Sequence, residues 1–447
     1  MSLFNPLPND NDDAFAFPSQ CFMLKFNGAW PLNSDKYSRS LFDRLYLFWA
    51  YALIVLIALT CCAQASFLFA SFSDVLIVTE CGCTVFMGIH NLLRLIHLSY
   101  NRKALKKLIA SFVKEIWISK STHQKISREC TSEMIVLKYI SLLQFVLIWM
   151  YILFPLLELY GIEDGSEKPF PYRMLFPYDA NRTFYYSITY FLTSLAGFGV
   201  VTNLFSEDSL FAFFTTHTCG RFRLLHEQIT HLMRIGQRNA LKKYPNLLHE
   251  NWSNARNSAV QLEYRNHLIR IIDNHRTLIS FFEELHDFFS PILLINYIIS
   301  SLLICMVGLQ IVAVELTIGD FLKLVVYIVS ALSQLFILCW KGNDIIEHSV
   351  YTADILYFCD WQGKSSDENY GRQSEKPVAS VARFDFPADV EVVKTIKFTI
   401  KRSQKPLILM AMKFSTLALN TFTRFSLILS TSISYFTLLQ SLLERSG

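Results

Sequence analysis

The chain has 447 residues with a formal net charge of +4; 52% of its residues are hydrophobic and 17% are charged. Soluble chains carry nearer 25% charged residues, and here the apolar residues come in blocks of bilayer-crossing length, which excludes a soluble globular domain. The class is a polytopic helical membrane protein, and so small a net charge gives no reason to expect nucleic acid as a partner.

Residues 1–44 form a mixed lead, acidic at first, with Pro6, Pro8 and Trp30-Pro31. No basic stretch and apolar run of a leader peptide stands there, so the first span is expected to act as the insertion signal. Span one runs about Leu45–Phe72 and span two about Val75–Leu98. The turn Ser71–Asp74 between them is short enough to make an antiparallel hairpin. Span three runs about Met134–Leu159, and a wet loop rich in Gly, Pro and acid follows over Ile162–Arg182. Span four covers about Phe184–Phe214. The polar stretch 215–287 has helical spacing at Leu262, Leu268, Ile271, Ile272 and Leu278, so spans four and five are expected to continue into it as helices. Span five covers about Phe288–Leu316, kinked or started by Pro291, and span six about Phe321–Trp340. Together 45–340 hold spans one to six, 341–406 form a polar linker with a loose run over Gly363–Ser380, and 407–447 form span seven and a tail. No internal repeat of the inverted transporter kind is visible.

Orientation follows from Lys and Arg. The short segment after span two holds eight, from Arg102 to Arg128, while the loops and tail on the opposite side hold five in all. Positive charge favours the cytoplasmic side, so the expected fold is all-α, with seven transmembrane helices, a cytoplasmic N-terminus and an extracellular C-terminus. A G-protein-coupled receptor has the reverse arrangement. Asn181-Arg182-Thr183 is a glycosylation sequon in an outer loop, close to span four; Asn251-Trp252-Ser253 falls inside.

Most of the ten cysteines lie in apolar runs, where they act as small hydrophobes, and Cys81-Gly82-Cys83 reads as packing rather than metal binding. His226 and His231 are five apart, roughly 140° around a helix, so they cannot share a metal and read as a solvated face. No phosphate loop, paired catalytic carboxylates or nucleophile elbow is present, so no enzyme, cofactor or metal is expected. In span two, Arg94 and His97 lie near the inner end, where long side chains snorkel to the interface, and Glu80 lies near the outer end, facing water or a cation path.

The outer halves of four spans bring aromatic and small groups to similar depth. Thr79, Cys83 and Phe86 share a face of span two, Phe145 and Trp149 of span three, Tyr190 and Ser194 of span four, and Tyr327 sits on span six. Few charges and a few hydroxyls suit a small apolar ligand; ordinary helix packing is the competing explanation. Leu407–Leu443 has no Gly or Pro, and as one helix it would measure roughly 55 Å against a ~30 Å hydrocarbon core. Its hydroxyl-rich outer half either packs helices or lines water. Ser434, Leu438 and Ser441 share one face there, with Gln440 on the next. Leu438 can close a narrow pore by dewetting, or it packs against neighbouring spans.

The C-terminal third carries three features in order: Cys339-Trp340-Lys341-Gly342-Asn343-Asp344 followed by Tyr357 and Trp361; Gln404-Lys405-Pro406 before an apolar run; and Ser434-Tyr435-Phe436-Thr437-Leu438-Leu439-Gln440. With Phe176-Pro177-Tyr178-Asp179 in the outer loop, this resembles an insect odorant receptor of the ligand-tuning kind. The resemblance implies one subunit of a tetrameric, odorant-gated, nonselective cation channel, formed with a common co-receptor in the plasma membrane of olfactory neuron cilia. It implies a small volatile ligand among spans two, three, four and six, a pore lined by span seven with its gate at Leu438, permeating cations and surrounding lipid as further partners, and a cytoplasmic anchor between subunits. The chain's ending differs from the co-receptor's, which implies a tuning subunit. The alternative is a gustatory-type chemoreceptor, or a membrane receptor without its own pore; gustatory receptors carry Thr-Tyr where Ser434-Tyr435 stands.

Overall fold

The computed structural model describes residues 17–32, 41–72, 75–159, 168–244, 254–313, 318–359, 361, 387–412, 414–424, 426–427, 430–431 and 434. Its elements are α1 (Met23–Phe26), α2 (Leu41–Ala70), α3 (Val75–Tyr100), α4 (Arg102–Ser111), α5 (Gln124–Leu159), α6 (Thr183–Thr230), α7 (Leu232–Lys243), α8 (Asn254–Ala313), α9 (Ile318–Phe358) and α10 (Val390–Ser403), then β1 (Met410–Ala411) and β2 (Ser415–Thr416).

Among the described residues six helices, α2, α3, α5, α6, α8 and α9, are long and apolar enough to cross a membrane. Two exceed by the widest margin what a bilayer needs. The 48 residues of α6 make about 72 Å and the 60 of α8 about 90 Å, against a hydrocarbon core of ~30 Å. The helical reading of 215–287 therefore stands for α6, α7 and α8, and Pro291 lies inside α8 rather than at its start. Proline deletes one backbone bond and displaces a carbonyl, so the helix is open to outside partners there. Ser290 beside it accepts a hydrogen bond from Met412 N at 3.0 Å and donates to Met410 O at 3.0 Å.

One expectation is corrected. The apolar run from Leu407 is not helical from its start. Met410 pairs with Thr416 and Ala411 with Ser415 in an antiparallel hairpin, closed by Leu417 N donating to Leu409 O at 2.9 Å. Met412 takes a φ of 44° at the turn, a region in which L residues are uncommon. Leu409, Ala411 and Leu417 are fully buried, so burial of three side chains offsets that backbone cost. Helix resumes at Leu419.

The chain forms two compact units. One is drawn from 1–216, 284–343 and 409–447. Here α2 and α3 pack on one another as the short turn requires. The other is drawn from 217–283 and 344–408. Inside it Asp389 caps α10 by accepting from Val392 N at 2.7 Å, and Val392 and Ile396 turn inward. His226 is buried there, not solvated as its sequence suggests; its ring bonds the Thr352 hydroxyl at 2.9 Å. Burial holds this histidine at about 3 and His275 at about 4, with cationic or imidazole neighbours adding to the depression. His231 is exposed as expected.

Candidate ligand-binding site

In the first unit five helices and one loop residue enclose a cavity. Its wall takes Ile57, Thr60, Cys61 and Gln64 from α2, Thr84, Met87 and Gly88 from α3, and Leu147, Ile148 and Tyr151 from α5. Ala196, Gly197, Val200 and Val201 of α6, Tyr327 of α9 and Tyr172 of the loop before α6 complete it. The empty space, counted out through its mouth into open solvent, is about 570 Å³. Among the described residues no charged side chain lines it.

The wall's shape has local causes. Tyr172 stacks on Tyr151 with ring centroids 5.7 Å apart, and its hydroxyl occupies the space that a Cβ on residue 197 would need, so Gly197 is the condition for the loop to dip in. The two wall threonines spend their hydroxyls on their own helices: Thr60 donates to Leu56 O at 2.9 Å and Thr84 to Cys81 O at 3.0 Å. The Gln64 amide differs, because its buried Oε1 has no partner among the described residues. A small, mostly apolar molecule with one hydrogen-bond donor matches this surface.

Of the residues singled out by sequence, Tyr327 lines the cavity, and its hydroxyl donates to Cys83 O at 3.2 Å. Cys83 and Phe86 share its apolar cluster, just behind the wall, and Thr79 is buried one turn away on α3. Phe145 backs the wall through Ile148 and Val201. Tyr190 is buried among Phe170 and Tyr186, and its hydroxyl donates to Ile152 O at 2.5 Å. Ser194 is half-buried with its hydroxyl unpartnered among the described residues. Trp149 is 42% exposed and edge-on to Phe145. Sequence reasoning missed α2 and Tyr172 altogether. The wall glycines Gly88 and Gly197 were the available signal for close approach in a span.

Two turns along from the cavity, the same helices meet in a polar node. Arg94 of α3 is fully buried and does not snorkel: its Nε donates to Glu207 Oε2 at 2.7 Å and one Nη to Asp208 Oδ1 at 2.6 Å. Gln334 of α9 donates to Asp208 Oδ2 at 2.8 Å. Buried charge is costly in any low-dielectric interior, and paired, hydrogen-bonded geometry is what makes it tolerable.

A family model described as 7tm Odorant receptor matches residues 75–427. The chain is also 43% identical to Odorant receptor 13a of Drosophila melanogaster, over 96% of each chain. The chain belongs to the insect odorant receptor family. The receptor is 24% identical to Odorant receptor 22c of Drosophila melanogaster over 63% of its own length and 60% of that protein's. Its fold is similar to that of the insect olfactory receptor OR5 from Machilis hrabei in complex with eugenol, with a TM-score of 0.71 and 15% identity over 94% of this chain and 97% of that one. It is a seven-helix membrane receptor rather than an enzyme. In its span-seven segment Ser434 is exposed, with its hydroxyl donating to Ser430 O at 2.9 Å; Leu438, Gln440 and Ser441, like the Glu80 side chain, lie outside the described residues. Asn181 of the sequon is exposed, its Oδ1 accepting from Lys168 N at 3.3 Å.

Proposed function

We propose that the receptor is the odorant-binding, tuning subunit of a ligand-gated nonselective cation channel formed with an olfactory co-receptor. The observation that carries the ligand half is the cavity closed by Tyr172, with no charged side chain among the described residues of its wall and with the Gln64 Oε1 open to a donor. Odorants in this reading are small volatile molecules, mostly apolar, held by the cavity wall with Tyr327, Cys83 and Phe86 behind or beside it; Thr79, Phe145, Trp149, Tyr190 and Ser194 act on tuning through the wall they support. The channel half draws on family membership and on the hydroxyl-rich end of span seven, where Ser434, Leu438, Gln440 and Ser441 face the pore and Leu438 closes it. Residues 1–44 and 341–406 stand in the cytoplasm of a plasma-membrane protein, 215–287 anchor subunits there, and 407–447 include pore-lining span seven and an extracellular tail that follows from the bias of Lys and Arg. Asn181 then stands on the side of the membrane that the glycosylation machinery reaches, close to span four.

The test is electrical. Cells expressing the receptor with a co-receptor should pass an odorant-evoked cation current that survives in excised patches without cytosol. A current that vanishes on excision would instead favour a receptor signalling without its own pore.

A further inference from the structure

Three polar side chains on α9 recur at a fixed interval. Tyr327, Gln334 and Lys341 are seven residues apart, two turns or about 10 Å each, so they form one stripe along the helix. All three are buried. Each reaches a different partner helix. Tyr327 donates to Cys83 O of α3 at 3.2 Å, Gln334 to Asp208 of α6 at 2.8 Å, and Lys341 to Glu133 of α5 at 2.7 Å. These partners are three of the four other cavity-lining helices. The rungs therefore set the axial position of α9 against every one of them except α2.

A second face of α9 meets the beginning of span seven. The Phe336 ring lies edge-on to Phe422 with centroids 5.4 Å apart, and Cys339 is in hydrogen-bonding reach of the Ala418 and Phe422 backbone. At Gly342 the carbonyl of Leu417 occupies the space that a Cβ would need. Leu417 is the last residue of the closed hairpin before helix resumes, and the hairpin is held on its other side by Ser290 of α8. A rigid helix with one end in the cavity wall and the other against the base of span seven transmits any axial or rotational shift between them.

We propose that α9 carries cavity occupancy to span seven, with Tyr327, Gln334 and Lys341 as the rungs that set its register and Gly342 as the contact through which it acts. This rests on the reading of the cavity as the odorant site and of span seven as the pore. Ligand entering beside Tyr327 changes the first rung, the two rungs further along resist or follow, and the close approach at Gly342 leaves no slack before Leu417 responds. These are positioning residues: none needs to touch a permeating ion.

The experiment separates binding from opening in the receptor assembled with its co-receptor. Gly342→Ala should leave the odorant-binding midpoint, read as ligand-induced thermal shift of the purified assembly, and the current evoked by a co-receptor-directed agonist unchanged. Its maximal odorant current should fall about tenfold, the size of an ordinary coupling loss. Lys341→Glu and Glu133→Lys should each lose odorant current, and the two together should recover it. Should Gly342→Ala fail to reach the surface, the charge-exchange series decides. Full odorant current in Gly342→Ala, binding and current falling in step, or no recovery in the double exchange would each overturn the proposal. A wild-type assembly that binds odorant yet passes no odorant current would instead overturn the functional reading, before any variant is compared.

Discussion

Replacing Arg94 tests whether the buried node holds the ligand bundle together. Arg94→Met removes two charge-assisted bonds, of 2.7 and 2.6 Å, and leaves Glu207 and Asp208 as adjacent buried carboxylates with no cation. Breaking a buried pair in this way costs about 3–5 kcal/mol, mostly from the uncompensated charge. The entropy of unfolding near the midpoint is about 2.1 cal/mol/K per residue, or roughly 0.9 kcal/mol/K for a chain of this length, so about 4 kcal/mol lowers the midpoint by about 4 °C. Arg94→Lys keeps one point charge and should lose less, because an ammonium cannot bridge both carboxylates as the guanidinium does. The triple neutral variant Arg94→Met, Glu207→Gln, Asp208→Asn should recover most of the loss. The assay is the thermal midpoint of the purified receptor followed by fluorescence-detected size exclusion. A fall below about 1 °C for Arg94→Met, or a triple variant no better than the single one, would refute the uncompensated-charge argument.

Gln64→Leu should weaken responses to hydroxyl-bearing odorants about five- to tenfold while sparing hydrocarbons, since a lost hydrogen bond in a closed site is worth about 1 kcal/mol or more; a concentration–response panel over matched alcohol and alkane pairs checks it. His226 and His275 should make the purified receptor sensitive to acid. Both are held below the ordinary 6.5, to about 3 and about 4, so their stabilising effect is complete above that value and is lost as pH falls through it. At pH 5 each should forfeit about 2 kcal/mol, seen as a thermal midpoint that drops between pH 7.5 and 5 and flattens in His226→Asn.

Much of the helical frame was legible because length and hydropathy decide it. The α3 start at Val75 and the α5 end at Leu159 fall where the apolar runs begin and stop, and the Leu262–Leu278 spacing marked α8 far beyond its span. The hairpin at Leu409–Leu417 was not legible, because an apolar run without Gly or Pro has no signature separating strand from helix, and its turn rests on a methionine at positive φ. The Arg94 node was hidden for another reason: its partners lie more than a hundred residues away in sequence, and a lone arginine near the end of a span is ordinarily an interfacial one. Tyr172 sits in a loop whose prolines and charges announce solvent, and only the missing side chain of Gly197, on another element, lets it into the wall. The candidate site was therefore half read: Tyr327 and its neighbours could be placed by depth, but the wall supplied by α2 and the loop depends on tertiary contacts.

The most direct measurement fills the cavity. Val200 lies on the α6 wall, and Val200→Trp places an indole where an odorant would sit. Cells carrying this variant with the co-receptor should lose odorant-evoked current across the ligand panel while a co-receptor-directed agonist still opens the channel to its wild-type maximum. Odorant responses of wild-type size and rank order in Val200→Trp would contradict the assignment of this cavity as the place where odorants bind.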